Sequence, residues 1–542
     1  MPWSPKAIQR CSALAALLAI ASFSDAAPDI ESIAPRALQP GRPVEVKFDG
    51  SELAEATNVW ANFPGRFEAL GDGRFRITTD AKRAVGIGTL RLYGTRGASS
   101  ATLVMIDDLP TVAESKTNNT QTSAQFIKSG AAVEGRCDEL SYDWFKFRAG
   151  KGQRVAIEVV ANRLGSRLDS VLRIFDGAGK QLAQNDDAPG LRGDSFISFV
   201  APKSGDYFIE LRDVNYGGGS GMFYRLRMGE FALATVAFPA YVQAGARQSF
   251  QLSGPGVEAA RMEASAPSNS NVLPIASKGR TGSAFARAFV GASVETIESE
   301  PNDTVSQATK VSTDAGINGR FDKENDRDCY EFAARKNERL EFRAATRSLG
   351  APCDVILEIQ SLDGKMLARS NPTAGDEGIV SHKFTSDGSY CLIVEEATGA
   401  SGPNCVYHVS AQPAAGFGLT IESDTFNVTA GKTFDLKVTI IRGDYKGAVK
   451  LGLEGIDSLA WTNSTIAEGK SNATMKVTVP DALAPGTLQF LSVFGTARRD
   501  GQDVRVRPAI AAAPTGRRRA PPQMPNPLPE FSGEVALGIM KP

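Results

Sequence analysis

Short runs in which apolar and polar residues alternate, each closed by Gly, Pro, Asn or Asp, recur along most of the chain. Val44-Glu45-Val46-Lys47-Phe48, Phe75-Arg76-Ile77 and Thr89-Leu90-Arg91-Leu92-Tyr93 lie near its start. Thr433-Phe434-Asp435-Leu436-Lys437-Val438-Thr439-Ile440 and Ala473-Thr474-Met475-Lys476-Val477-Thr478-Val479 lie near its end. Successive side chains of a strand face opposite ways, so this period of two predicts half-buried strands, and short strands between turn residues predict antiparallel sandwiches. At 542 residues, with Gly 53 and Pro 29 spread throughout, the chain is too long for one core. It should divide into units of roughly 100 residues.

Two of those units are copies. Gly135-Arg136 aligns with Gly319-Arg320, Asp143-Trp144-Phe145-Lys146-Phe147 with Asp328-Cys329-Tyr330-Glu331-Phe332, and Leu164-Gly165 with Leu349-Gly350. The register continues through Asp169 with Asp354, Gly179-Lys180 with Gly364-Lys365, and Gly205-Asp206-Tyr207 with Gly388-Ser389-Tyr390. A nearly constant offset held this long is an internal duplication. A weaker echo joins Gln39-Pro40-Gly41 and Val46-Lys47-Phe48-Asp49-Gly50 to Gln243-Ala244-Gly245 and Phe250-Gln251-Leu252-Ser253-Gly254, so the repeated module is a small sandwich followed by a larger one. The expected division is a leader at 1–26, a sandwich at 28–108, the first large unit at 109–229 and a short sandwich at 230–297. The second large unit follows at 298–413, then a sandwich at 414–500 and a flexible tail at 501–542, rich in Pro and carrying Arg517-Arg518-Arg519.

Lys6 and Arg10, the apolar run Cys11 to Phe23, and the small residues around Ala26 have the form of a cleaved export signal. No later run is long and apolar enough for a membrane helix, so the mature chain is expected to be secreted or periplasmic, without a transmembrane segment. A net charge of -1, from 60 basic and 61 acidic residues, gives no electrostatic reason to expect nucleic acid. Export permits disulfides. Cys329, Cys353, Cys391 and Cys405 share one unit, and their three possible connectivities are not separable by spacing. The favoured pairing is Cys391 with Cys405, which flank a turn between successive strands, and Cys329 with Cys353. Cys137 is left over.

The residues Glu298-Ser299-Glu300-Pro301-Asn302-Asp303-Thr304, the strand Asp328 to Phe332, Asn185-Asp186-Asp187 after Leu172-Arg173-Ile174-Phe175, and Gly205-Asp206-Tyr207 together resemble the bacterial pre-peptidase C-terminal domain, a jelly-roll-like sandwich. The opening Ile33-Ala34-Pro35 with Gln39-Pro40-Gly41 resembles the IPT/TIG group of immunoglobulin-like domains. The expected fold is therefore all-β, a tandem array of two jelly-roll-like sandwiches and about three immunoglobulin-like ones.

The opening motif has its own chemistry. In an extended segment Glu298, Glu300 and Asn302 share a side, with Asp303 turning in from a bend. Calcium takes six to eight hard oxygen ligands in flexible geometry, and the loop Asp322 to Asp328 offers further carboxylates. The motif is similar to one that binds calcium in related domains of clostridial collagenases. That resemblance implicates Glu298, Glu300, Asn302 and Asp303, with Asp326 and Asp328 as looser matches. In the first copy the aligned residues are Glu114, Lys116, Asn118 and Asn119. An ammonium at Lys116 and a lost charge at Asn119 strip that site of anionic character, so calcium is expected in the second copy only.

No catalytic constellation accompanies these features. The chain has 2 His, His382 and His408, with no Gly-x-Ser-x-Gly elbow, no His-Glu-x-x-His motif and no phosphate-cradling glycine loop. Arg192-Gly193-Asp194 spells an integrin-type tripeptide that chance readily supplies. The expectation is a non-catalytic exported protein binding an envelope or extracellular protein, matrix or polysaccharide. The alternative is an accessory or spacer subunit of a secreted peptidase or other envelope hydrolase.

Overall fold

The computed structural model describes residues 27–254, 257, 261–268, 270–370, 377–511 and 534–542. The export-signal segment 1–26, with Cys11, and the basic run Arg517 to Arg519 lie outside these residues. Among the described residues there are strands and single turns of 3-10 helix but no α-helix, and no helix long and apolar enough to cross a membrane.

The alternating runs become strands as their pattern demands. Asp143–Ala149 buries Phe145, Phe147 and Ala149 on one face, and its counterpart Arg327–Ala334 buries Tyr330, Phe332 and Ala334. In the first large unit one sheet runs in the order Thr111–Ala113, Ala131–Arg136, Phe223–Gly229, Arg154–Val160, Phe196–Val200; the other runs Gln125–Phe126, Asp143–Ala149, Gly205–Asp213, Ser170–Asp176, Gln181–Asn185. In the second unit the sheets run Glu295–Ile297, Gly316–Arg320, Val406–Pro413, Arg339–Ala345, Ile379–Lys383, and Thr309–Lys310, Arg327–Ala334, Gly388–Glu396, Val355–Ser361, Met366–Arg369. The strand order is the same. So is the register: Phe147 faces Tyr207 as Phe332 faces Tyr390. Each tyrosine hydroxyl donates back to a carbonyl four residues earlier, Tyr207 to Lys203 at 2.6 Å and Tyr390 to Ser386 at 2.9 Å. Truncating one of these fully buried aromatics to alanine is expected to cost roughly 3–5 kcal/mol.

Smaller two-sheet sandwiches flank these units. One spans Asp29–Ala34 to Thr102–Ile106 and one spans Val236–Phe238 to Ser283–Gly291. The last sandwich begins at Phe417–Ile421, and it departs from the expected boundary at 500. Its longest strand, Leu488–Arg499, turns into Gln502–Val506, and Glu534–Met540 returns to insert between Thr425–Thr429 and Leu488–Arg499. The segment 501–542 is therefore not a flexible tail throughout. Val535, Leu537 and Ile539 are fully buried in the last core.

The sandwiches also pack on one another. Ala37, Met105, Val160, Leu164 and Phe285, from three sandwiches, form one apolar cluster. Gly190 of the first unit, at φ 81°, abuts the Gly350 carbonyl of the second so closely that a Cβ would lie 1.9 Å from that oxygen. The first sandwich meets the last. Arg91, 2% exposed, pairs with Asp424 at 2.5 Å. Asn427 accepts from the Ala98 N–H at 2.7 Å and donates to its carbonyl at 2.9 Å. Trp60 packs on Phe490 at 5.0 Å.

Candidate metal centre in the second repeated unit

The segment that enters the second unit is held by its neighbours before any side chain is considered. The Glu298 N–H donates to the Asn318 carbonyl at 3.0 Å, and the Cys329 N–H donates to the Asn302 carbonyl at 2.9 Å. These bonds tie the start of the segment to the strand Gly316–Arg320 of one sheet and its end to the strand Arg327–Ala334 of the other. One carboxylate oxygen from each of Glu298, Glu300 and Asp328 then lies within 4.8 Å of the others. Asn302 completes the group. Its amide lies against the two acids, oriented so that Nδ2 donates to Glu300 Oε1 at 3.2 Å and Asp328 Oδ1 at 2.9 Å. That orientation suits a cation-free site; the opposite one would present Oδ1 to a cation held by the same acids.

The electrostatics agree. Burial, then the charge of Asp328, pushes Glu298 up to about 9. Burial pushes Asp328 up to about 8, against the bond it accepts from Tyr407 and with the charges of Asp326 and Glu300. Burial also raises Glu300. Without a cation Glu298 and Asp328 hold protons near neutral pH; a divalent ion would replace those protons and offset the cost of their desolvated charges. Four protein oxygens from carboxylates and an amide, completed by water, suit the flexible coordination of calcium. The donor set fits.

Two expected ligands have other work. Asp303 pairs with exposed Lys323. Asp326 accepts from the N–H groups of Asp322 at 2.7 Å and Arg327 at 3.0 Å, closing the loop that leads into the ligand strand. The bend after Asn302 points Asp303 outward, and an aspartate accepting from its own loop's backbone has few lone pairs left for a metal. The sequence reading missed Tyr330 and Tyr407. Tyr407 Oη donates to Asp328 at 2.6 Å and shares a 2.7 Å hydrogen bond with Tyr330. Tyr330 stands two residues after Asp328 and so shares its face of the strand; that period-two relation was the available signal.

The first unit builds the same cradle with other contents. Trp144 N–H donates to the Asn118 carbonyl at 2.7 Å, as Cys329 does to Asn302. Tyr224 Oη donates to Glu114 at 2.6 Å and approaches Asp143 at 3.0 Å. Burial, then the charge of Glu114, pushes Asp143 up to about 8, and the two carboxyls lie within hydrogen-bond reach of each other. Burial thus favours the protonated form of Asp143 near neutral pH. Lys116, in the place of Glu300, is exposed, and the buried Asn118 Nδ2 has no protein partner.

Other candidate features resolve simply. Asp194 is fully buried, pairing with Arg163 at 2.7 Å and accepting from the N–H of Ala161 and Asn162. The Arg192-Gly193-Asp194 carboxylate is therefore not displayed to a partner. His408 Nε2 lies 3.0 Å from Glu295, and its ring stacks on Tyr241 of the preceding sandwich at 3.8 Å. His382 packs edge-on against Phe384.

Residues 141–213, in the first unit, match the family described as the bacterial pre-peptidase C-terminal domain. The second unit shares that unit's strand order but is not covered by the match. A probable subtilase-type serine protease of Deinococcus radiodurans is 36% identical over 117 residues, which is 20% of this chain and 15% of that protein. The chain thus spans well under two thirds of this relative. Among solved structures, the D0-D1 domain of Intimin covers 32% of this chain and 94% of its own at 15% identity and a TM-score of 0.14. An ICAM-5 D1-D4 ectodomain fragment covers 88% of this chain and 96% of its own at 10% identity and a TM-score of 0.11.

Proposed function

We propose that this is an exported, non-catalytic binding protein whose packed sandwiches present surfaces to an envelope or extracellular protein or to a polysaccharide, with one structural calcium ion in the second repeated unit. The observation that carries the reading is the convergence of Glu298, Glu300, Asn302 and Asp328 beside the joint between the second unit and the sandwich before it. Glu298 follows directly on the strand Glu295–Ile297, and Tyr241 of the preceding sandwich donates its N–H to Asn318 at 2.8 Å. An ion bound there fixes the entry segment and stiffens that joint, which is what a binding surface spread over several sandwiches needs. Both histidines are engaged in packing or pairing at sheet positions, which supports a non-catalytic role.

A second reading has one observation in its favour, the partial match to a subtilase-type protease. In it the chain is an accessory subunit of an exported peptidase. A long spacer is disfavoured, because the first and last sandwiches lock together through Arg91 and Asp424.

The test is to immobilise the full chain and offer envelope polysaccharides, matrix proteins and exported peptidases, with calcium and with chelator, beside a screen for peptidase, glycosidase and esterase turnover. Calcium-dependent retention of a ligand without turnover supports binding. Selective retention of a peptidase transfers the reading to the accessory role. Turnover by the purified chain contradicts both.

A further inference from the structure

The cysteines of the second unit are sorted by the fold into two pairs, and these are not the pairs favoured by turn spacing. All five described cysteines are thiols in this structure and all are buried. Cys329 and Cys391 lie on adjacent antiparallel strands, where Cys329 faces Ile393 and Glu331 faces Cys391. They are diagonal neighbours on one face, close enough to interact. Their thiols are within hydrogen-bond reach of each other, and Val305 and Ala308 cover them. Cys353 and Cys405 meet in the main core, also within hydrogen-bond reach, with Cys353 Sγ 3.6 Å from the Val406 carbonyl. The expected pairs, Cys391 with Cys405 and Cys329 with Cys353, are split between two separate apolar clusters.

The first unit shows what these positions hold otherwise. By the shared register, Trp144 and Phe208 stand where the second unit has Cys329 and Cys391. An apolar contact there needs no sulfur, yet the second unit places two sulfurs together, twice. Cys137 has Asp143 and Glu114 beside it and no thiol; burial and those charges push it well up and leave it inert.

We propose that the oxidised chain carries two disulfides, Cys329–Cys391 and Cys353–Cys405, and that the first clamps the strand bearing Asp328 to the strand beside it. The oxidant is a disulfide-bearing exchange partner, such as oxidised glutathione or a dithiol oxidoreductase. One cysteine thiolate attacks a sulfur of the partner's disulfide, forming a mixed disulfide and releasing one partner thiolate. The second cysteine thiolate then attacks the chain's own sulfur in the mixed disulfide and releases the other. The chain loses two hydrogens per bridge and the partner gains them as thiols. Both pairs are buried, so exchange takes place while the strands close or during their opening. Arg327 Nη1 lies 3.7 Å from the Cys329 Sγ. The Cys329 N–H also holds the Asn302 carbonyl, so the bridge braces two elements of the metal cradle. That an oxidant meets the chain in the cell rests on the export reading; the pairing does not.

The experiment is peptide mapping of the full chain, purified reduced, incubated with reduced and oxidised glutathione, alkylated and digested without reductant. The expected result is two cross-linked peptide pairs, 329 with 391 and 353 with 405, with Cys137 alkylated. Full alkylation of these cysteines after oxidation, or cross-links 391 with 405 or 329 with 353, overturns the proposal. The same mapping on chain recovered from the producing cell tests export separately. Bridges formed in the glutathione buffer but absent in the cell contradict the export reading and leave the pairing standing.

Discussion

The two large units share strand order, register and entry-segment hydrogen bonds, yet the same cradle holds a carboxyl pair bridged by a tyrosine in one and an oxygen cluster suited to calcium in the other. The first unit has Glu114 and Asp143 bridged by Tyr224, with Lys116 turned to solvent. The second has Glu300 in place of Lys116, with the Asn302 amide against Glu300 and Asp328. The joints differ too. The first is closed by buried charges: Asp107, from the sandwich before, pairs with Arg225 at 2.7 Å and Arg227 at 3.1 Å, and Arg227 continues to Glu158. Burial raises the Asp107 carboxyl, but the two arginines outweigh it and hold the group below its ordinary range. The second joint has Glu295, His408, Asn318 and Tyr241 in that region. A duplicated fold thus has fixed buried charge at one joint and an acidic cluster, the proposed calcium site, beside the other.

The largest effect should come from breaking the first joint. Asp107→Ala leaves two buried arginines without their common partner and should cost about 3–5 kcal/mol in chemical unfolding. Glu295→Ala, at the second joint, removes the partly buried hydrogen-bond partner of Asn318 and His408 and should cost about 1–3 kcal/mol. Equal losses would remove the distinction between joints. Next comes the ion. Calcium at a hundredfold excess over Kd should stabilise the chain by about 2.7 kcal/mol, seen as a rise in Tm, and Glu300→Lys should abolish it. The reciprocal Lys116→Glu in that Glu300→Lys background should restore a weaker calcium response, now in the first unit.

A smaller effect concerns pH. Asp143 is raised from its ordinary range to about 8, so the folded first unit binds a proton that the unfolded chain releases. That stability is whole below about pH 4 and is lost as pH rises through about 8. Asp143→Asn should flatten the Tm–pH profile with or without calcium. Glu298 and Asp328, at about 9 and about 8, give chelated protein the same slope in the second unit. There calcium replaces the protons, so its stabilisation should grow with pH. The smallest effect is Asp303→Ala. Its partner Lys323 is exposed, and loss of a surface pair should change stability by no more than about 1 kcal/mol and leave calcium binding in place.

Much of the fold was legible because half-buried strands write their pattern into the chain. Phe145 and Phe147 alternate with Trp144 and Lys146, and the duplicated columns gave the repeat. The strand Glu534–Met540 was not legible. It is covered on both faces, by the last core and by the Gly97-Ala98 turn of the first sandwich, so it reads as a plain apolar run beyond a proline-rich stretch. In the site, period two correctly grouped Glu298, Glu300 and Asn302 on one side. It could not show that Asp303 points outward or that Asp326 is taken up by its own loop, because both depend on turns whose geometry is set by contacts distant in sequence. Cysteine pairing failed for the same reason: Cys329 and Cys391 are neighbours through sheet register and far apart along the chain.

The most direct measurement is calorimetric titration of calcium into the chelator-treated full chain and into its Glu300→Lys variant. The account predicts one binding event in the parent, with proton release near neutral pH, and none in the variant. Absence of binding in the parent, or equal binding by both, would contradict the assignment of calcium to the second unit.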